Sequence, residues 1–230
     1  MAGTSETDLL KYAAYLGFVG IASLAVYTFV SASREGELRR RCAATCLMRP
    51  SYTGVNRRAP NFTLKDRNGH DVTLESYRGQ VVVLNFWTKT CGPCMEEMPD
   101  LADLAKVFRG RKDVVLLTVS TDESWEDVAT ALKGVLRGQE PPFPVLFDPE
   151  SKIVGEKFGT KLFPETWIID PRGVIRARFD GPREWTNATV VELVDQIRNN
   201  GYCPVEVDPS RPGKFLGEGA KICDQLIGGI

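Results

Sequence analysis

Val81-Val82-Val83-Leu84-Asn85-Phe86-Trp87-Thr88-Lys89-Thr90-Cys91-Gly92-Pro93-Cys94-Met95-Glu96-Glu97-Met98 is the stretch that decides the fold. Its first seven residues, six of them apolar, read as a strand buried on both faces, and the helical pattern around Pro93 sets two thiols at a helix start. Cysteines three positions apart can close a small disulfide ring there. Unpaired backbone N–H groups at a helix N-terminus favour the thiolate of the first sulfur. Cys91 is therefore expected to attack and Cys94 to resolve. Half a zinc site has the same spacing. Its second half would have to stand at ribbon or finger spacing, and neither Cys42-x-x-x-Cys46 nor the distant Cys203 and Cys223 does so. No metal site and no cofactor is expected.

The chain has 230 residues, 43% of them hydrophobic, and a formal net charge of −1. That balance suits one globular domain with appendages and gives no footing for nucleic acid. The one histidine, His70, follows Asn68-Gly69 between Phe62-Thr63-Leu64 and Val72-Thr73-Leu74. This is a hairpin pattern with a turn that needs positive φ, so His70 is expected exposed on it. With a single histidine, and that one read as an exposed turn residue, Ser-His-Asp and multi-histidine metal chemistry are both disfavoured.

Residues 12–32, after a flank 1–11, form an apolar run broken only by small or hydroxyl residues. About 20 such residues is what a helix needs to cross a bilayer, and an uncleaved anchor is expected. A signal peptide cleaved near Ser31-Ala32-Ser33 is the alternative. Lys11 alone precedes the run while Arg34, Arg39, Arg40 and Arg41 follow it, which by the positive-inside bias would put the folded domain in the cytoplasm. The cysteines argue the reverse. Cys42, Cys46, Cys203 and Cys223 flank the apparent domain, where structural disulfides would staple loose ends in an oxidising, periplasmic or equivalent space. Their pairing is open among three arrangements. Bonds from the Cys42 region to the tail are favoured, because closing long loops restrains the unfolded chain most.

Residues 33–58 read as a juxtamembrane linker with a short helical piece around Cys42, residues 59–200 as the folded domain, and residues 201–230 as a Gly- and Pro-rich extension carrying two cysteines. Within the domain a hairpin precedes the strand ending at Trp87 and a helix to about Phe108. A strand at Val114 to Val119 and a helix from Ser124 to about Leu136 follow, with Ser124 and Asp127 as a capping pair and Trp125 inward. Phe143 to Phe147 reads as a short strand and Ile153 to Phe158 as a brief helix. Thr166-Trp167-Ile168-Ile169 and Val174 to Phe179 flank the turn Asp170-Pro171-Arg172-Gly173 as a hairpin, before a last helix from about Asn187 to Arg198. The expected class is α/β, a mixed central sheet with helices on both faces.

Ala59-Pro60-Asn61-Phe62-Thr63-Leu64, Asn85-Phe86-Trp87, Cys91-Gly92-Pro93-Cys94, Glu97-Met98-Pro99, Val119-Ser120-Thr121-Asp122, Phe163-Pro164-Glu165-Thr166 and Ile169-Asp170-Pro171-Arg172-Gly173 together resemble the thioredoxin fold. More narrowly, they resemble the membrane-anchored TlpA/ResA/CcmG-like thiol–disulfide oxidoreductases. The resemblance implies that Pro164 is a cis-proline lying against the dithiol, with Phe163 offering backbone groups to a substrate strand. Trp87 would pack beneath the active-site helix, and Thr90, Gly92 and Pro93 would border the substrate. Thr90 stands where many relatives carry Trp. The Gly92-Pro93 pair is that of reducing thioredoxins, poised near about −270 mV rather than the about −120 mV of strong oxidants. A protein-disulfide reductase recharged by a membrane thiol reductase follows. Asn85 replaces the buried Asp of cytoplasmic thioredoxins and cannot take a proton from Cys94. A half-buried Glu165 is the expected acid–base helper. Two alternatives remain: a thiol peroxidase, for which Thr88-x-x-Cys91 matches part of the peroxiredoxin site although Leu84 stands where its Pro is expected, and a copper-site or cytochrome assembly factor using the same thiols as ligands.

Overall fold

The computed structural model describes residues 6–54, 56–211 and 213–228. It divides into two units, residues 1–40 and 41–230. The first is helical: α1 (Glu6–Met48) starts there, and among the described residues it is the one helix long and apolar enough to cross a membrane. Its apolar side chains, Phe18, Ile21, Tyr27 and Phe29 among them, lie open all round, as a lipid-facing helix requires. It fits a single-pass anchor.

The linker expected over residues 33–58 takes another form. α1 continues without a break to Met48, and in the second unit its residues Cys42, Ala44, Thr45, Cys46 and Met48 are buried. The segment Leu38-Arg39-Arg40-Arg41-Cys42-Ala43-Ala44 is rich in good helix formers, so a charge run here is a helix face rather than a loop. Beyond it β1 (Tyr52–Thr53) pairs antiparallel with β8 (Ile175–Asp180), and Arg58 bridges to Val174.

The sheet follows from the quoted strand. β4 (Val81–Trp87) is buried along its whole length and lies between β5 (Val114–Ser120), parallel, and β7 (Glu165–Ile169), antiparallel. β6 (Val145–Phe147) runs parallel to β5, and the hairpin of β2 (Thr63–Asp66) and β3 (Asp71–Thr73) closes that edge. The full order is β1-β8-β7-β4-β5-β6-β2-β3. Gly69, at φ +80, makes the hairpin turn, and His70 stands exposed beside it with its ring against Asp66.

Strand side chains alternate faces. Val81, Val83 and Trp87 join one core with buried residues of α2 (Gly92–Val107), α3 (Trp125–Val135) and α4 (Ala188–Arg198). Val82, Leu84 and Phe86 join the other with Phe62, Leu64, Phe158 and Trp167. Helical cover on that second face is short: a 3-10 turn, Leu74–Tyr77, and a π turn, Lys152–Lys157, in place of the brief helix read there. Two buried backbone donors of that turn, Ile153 and Val154, are both taken by Asp148 at 2.9 and 2.8 Å. Ser124 caps α3 by accepting from the Asp127 amide, and Trp125 stacks on Phe147 at 4.8 Å. After α4 the tail forms a small ribbon of β9 (Glu206–Val207) and β10 (Phe215–Leu216), then α5 (Ala220–Ile227).

Candidate functional site

Where β4 ends, the chain turns through Thr88, Lys89 and Thr90 into α2. That turn is held from below by Asp122, whose carboxylate accepts from the Thr88 hydroxyl at 2.6 Å, the Lys89 amide at 2.8 Å and the Ser120 hydroxyl at 2.8 Å. The loop is thereby fixed to the end of β5. Cys91 is the N-cap of α2, and its Sγ accepts the Cys94 amide at 3.1 Å. The two are joined as a disulfide. Cys91 is half-buried, Gly92 and Pro93 are exposed, and Cys94 has no exposure at all. An incoming sulfur can therefore reach Cys91 and not Cys94. An N-cap sulfur beside unsatisfied amide donors is where a thiolate is favoured.

Trp87 is fully buried in the cluster that holds Cys94 and Met98, and Thr90 is exposed. The Phe163–Pro164 bond is cis, with Pro164 buried and Phe163 half-buried against the core that includes Cys94. Leu162, next to them, is 82% exposed.

Glu165 does not join this site. In register it faces Phe86, while its neighbour Thr166 faces Asn85. The alternation of β7 turns Thr166 toward α2 and Glu165 to the opposite face of the sheet. There it accepts from the Thr160 hydroxyl and from Trp167 Nε1, with Arg178 3.9 Å away. Burial raises its pKa, against the lowering by those partners, yet the carboxyl group is on the wrong side of the sheet for the dithiol.

The carboxylate on the dithiol side is Glu97, 4% exposed and one helical turn after Cys94 on the buried face of α2. Oε1 accepts from Asn85 Nδ2 at 2.9 Å, and Oε2 accepts from the Arg183 amide at 3.1 Å and Trp185 Nε1 at 3.0 Å. Asn85 Nδ2 also donates to the Thr166 hydroxyl at 2.9 Å. Burial pushes the Glu97 pKa up, opposed by its Trp185, Arg183 and Asn85 donors. The signal was present in the spacing Cys94-x-x-Glu97, since residues three apart on a helix share a face. Arg183 extends the network, its guanidinium donating to the carbonyls of Met48 at 3.0 Å and Arg49 at 3.3 Å, where α1 ends.

Two of the four remaining cysteines stand in the last turns of α1, and the four are bonded as Cys42–Cys203 and Cys46–Cys223.

Comparison with known proteins places this arrangement. The AhpC/TSA family model matches residues 55–178. The thioredoxin-like protein YneN of Bacillus subtilis is 32% identical over 118 residues, 51% of this chain and 66% of that protein. The thiol-disulfide oxidoreductase ResA of Bacillus cereus is 30% identical over 127 residues, 55% of this chain and 70% of that one. Among solved structures, the thioredoxin domain of a thiol-disulfide oxidoreductase from Bacteroides vulgatus superposes with a TM-score of 0.52 at 28% identity, covering 62% of this chain and 97% of that domain. With a family model over more than half its length and a dithiol at the start of α2, the chain belongs to the AhpC/TSA family, as a thioredoxin-fold thiol–disulfide oxidoreductase.

Proposed function

We propose that the chain is a membrane-tethered reductant of protein disulfides, anchored by residues 12–32, with its domain of residues 59–200 on the extracytoplasmic side. The observation that carries the reading is the asymmetry of the dithiol: Cys91 reachable at a helix N-cap, Cys94 sealed beneath it. In the reduced protein the Cys91 thiolate attacks a substrate disulfide, forming a mixed disulfide while the other substrate sulfur leaves as a thiolate. Cys94 then attacks Cys91 Sγ, the Cys91–Cys94 bond forms, and the second substrate thiol departs with the two electrons transferred. Attack by Cys94 requires loss of its proton in a buried site. Glu97, one turn away and with a pKa raised by burial, is suited to take that proton and return it.

Phe163 and Pro164, with Thr90, Gly92 and Pro93, line the approach to Cys91, and a substrate strand would pair with the Phe163 backbone. Trp87 supports the dithiol from within the core. A membrane thiol reductase supplies electrons. Commitment of the Thr88 hydroxyl to Asp122 supports dithiol exchange over the peroxidase reading, which needs that hydroxyl turned to a peroxide. Expression of the Cys94→Ser chain in its host, followed by mass spectrometry of Cys91 adducts, tests the proposal. Mixed disulfides with extracytoplasmic proteins are expected. Recovery of sulfenic acid on Cys91 without protein adducts would favour the peroxidase instead.

A further inference from the structure

Cys42 and Cys46 lie one turn apart near the end of α1, Cys203 follows α4, and Cys223 lies in α5, so three separate segments bring four sulfurs together. All four are buried, Cys42, Cys46 and Cys223 completely and Cys203 at 6% exposure. The Sγ atoms of Cys46, Cys203 and Cys223 lie within 4.8 Å of one another, and Cys42 Sγ is bonded to that of Cys203. Gly219 keeps the space beside them clear: a Cβ there would stand 2.8 Å from both Cys42 Sγ and Cys203 Sγ.

We propose that in the reduced chain these four cysteines form a tetrathiolate site for a thiophilic divalent ion, zinc. Zn–S bonds of about 2.3 Å in a tetrahedron place the sulfurs about 3.8 Å apart. The bonded pairs must part and the cross contacts close to reach that spacing, changes that side-chain rotation and small backbone adjustments can supply at Cα separations of 4.5 and 4.9 Å. Two equivalents of a dithiol reductant deliver the four electrons and four protons that open both disulfides. Zinc binding then displaces the four thiol protons to solvent, and a disulfide-class oxidant taking four electrons back would expel the ion. A chain made where thiols are kept reduced would pass through the four-thiol state before either bond closes. Spacing along the sequence hides the site, because Cys46 and Cys203 are brought together by the fold alone. The same four residues would hold the tail to α1 in either redox condition.

The test uses the full chain in detergent with Cys91→Ser and Cys94→Ser, so that its outcome is independent of the reductase reading. Reduced anaerobically with a phosphine and freed of reductant, it is titrated with Co2+ and then Zn2+. One Co2+ per chain is expected, with the visible bands of tetrahedral thiolate coordination, displaced by one Zn2+ and abolished by Cys203→Ser. Absence of those bands overturns the proposal, as do bands of equal strength in urea, which would be a property of unfolded thiols. A serine variant can lose the tail's fold as well as a ligand, so protease resistance of residues 199–228 is read with all four outer cysteines present. Zinc should restore the resistance of the disulfide form, and binding without protection overturns the site.

Discussion

At the scale of single residues, the placing of the dithiol at a helix start was legible because its signal is local: a strand, a turn and Cys91-x-x-Cys94 lie within eighteen consecutive residues. Which carboxylate shares the dithiol's side of the sheet was harder to read, since the choice between Glu97 and Glu165 depends on which face each addresses, and that is fixed by pairing between β4 and β7. Cys91→Ser should abolish disulfide reduction while Cys94→Ser retains attack and accumulates mixed disulfides, because only the first sulfur is reachable. Insulin reduction and gel-shift trapping read both, and equal trapping by the two variants would overturn the assignment of roles. Glu97 makes a prediction in pH. Its folded pKa lies above the ordinary 4.5, burial being the leading cause. Between the ordinary and the raised value the folded protein holds a proton that the unfolded chain has lost, so stability falls as pH rises through that window. In Glu97→Gln this contribution to the slope should vanish. The new NH2 must also face either the Asn85 donor or the Trp185 and Arg183 donors, costing about 1–3 kcal/mol. Urea midpoints across pH compare the two, and an unchanged slope would remove Glu97 from the proton account.

At the scale of elements, the buried strands and the β7–β8 hairpin were readable from apolar runs and the Asp170-Pro171-Arg172-Gly173 turn, where Asp170 Oδ1 accepts the Arg172 and Val174 amides, each at 2.9 Å. β1 is two residues long and exists only because β8 offers it an edge, which no local pattern reveals. The continuation of α1 was hidden for a related reason: its buried face is defined by cysteines whose partners lie 161 and 177 residues away. Two glycines separate shape from propensity. Gly219→Ala would bring a Cβ within 2.7 Å of Val205 Cγ1 and 2.8 Å of two sulfurs, and a loss of about 1–3 kcal/mol is expected from overpacking. Gly134→Ala, exposed in α3 with nothing within 4 Å, should instead gain about 0.5–1 kcal/mol. Denaturant unfolding of the oxidised proteins measures both, and matching effects in the two variants would contradict the packing drawn around Gly219.

At the scale of the whole molecule, composition marked the apolar helix that fits an anchor and cysteine placement marked the staples, while the gathering of Cys46, Cys203 and Cys223 required the fold. Removing the Cys42–Cys203 bond by Cys42→Ala with Cys203→Ala should lower stability by about 2–5 kcal/mol, since the bond closes a long loop in the unfolded chain. Thermal unfolding under non-reducing conditions measures it, and an unchanged midpoint would mean that the Cys46–Cys223 bond and the tail's packing hold it without the Cys42–Cys203 bond. Orientation is tested by a membrane-impermeant thiol reagent on intact cells with the dithiol reduced. Labelling of Cys91 before lysis is expected, and labelling only after lysis would place the domain in the cytoplasm. The staples also impose an order in time. Cys42 and Cys46 leave the ribosome before their partners, which follow 161 and 177 residues later, so neither bond can close until the intervening domain has been made. A product truncated before residue 223 carries Cys46 without its mate, so closure of that bond reports that the domain between the two cysteines has been synthesised.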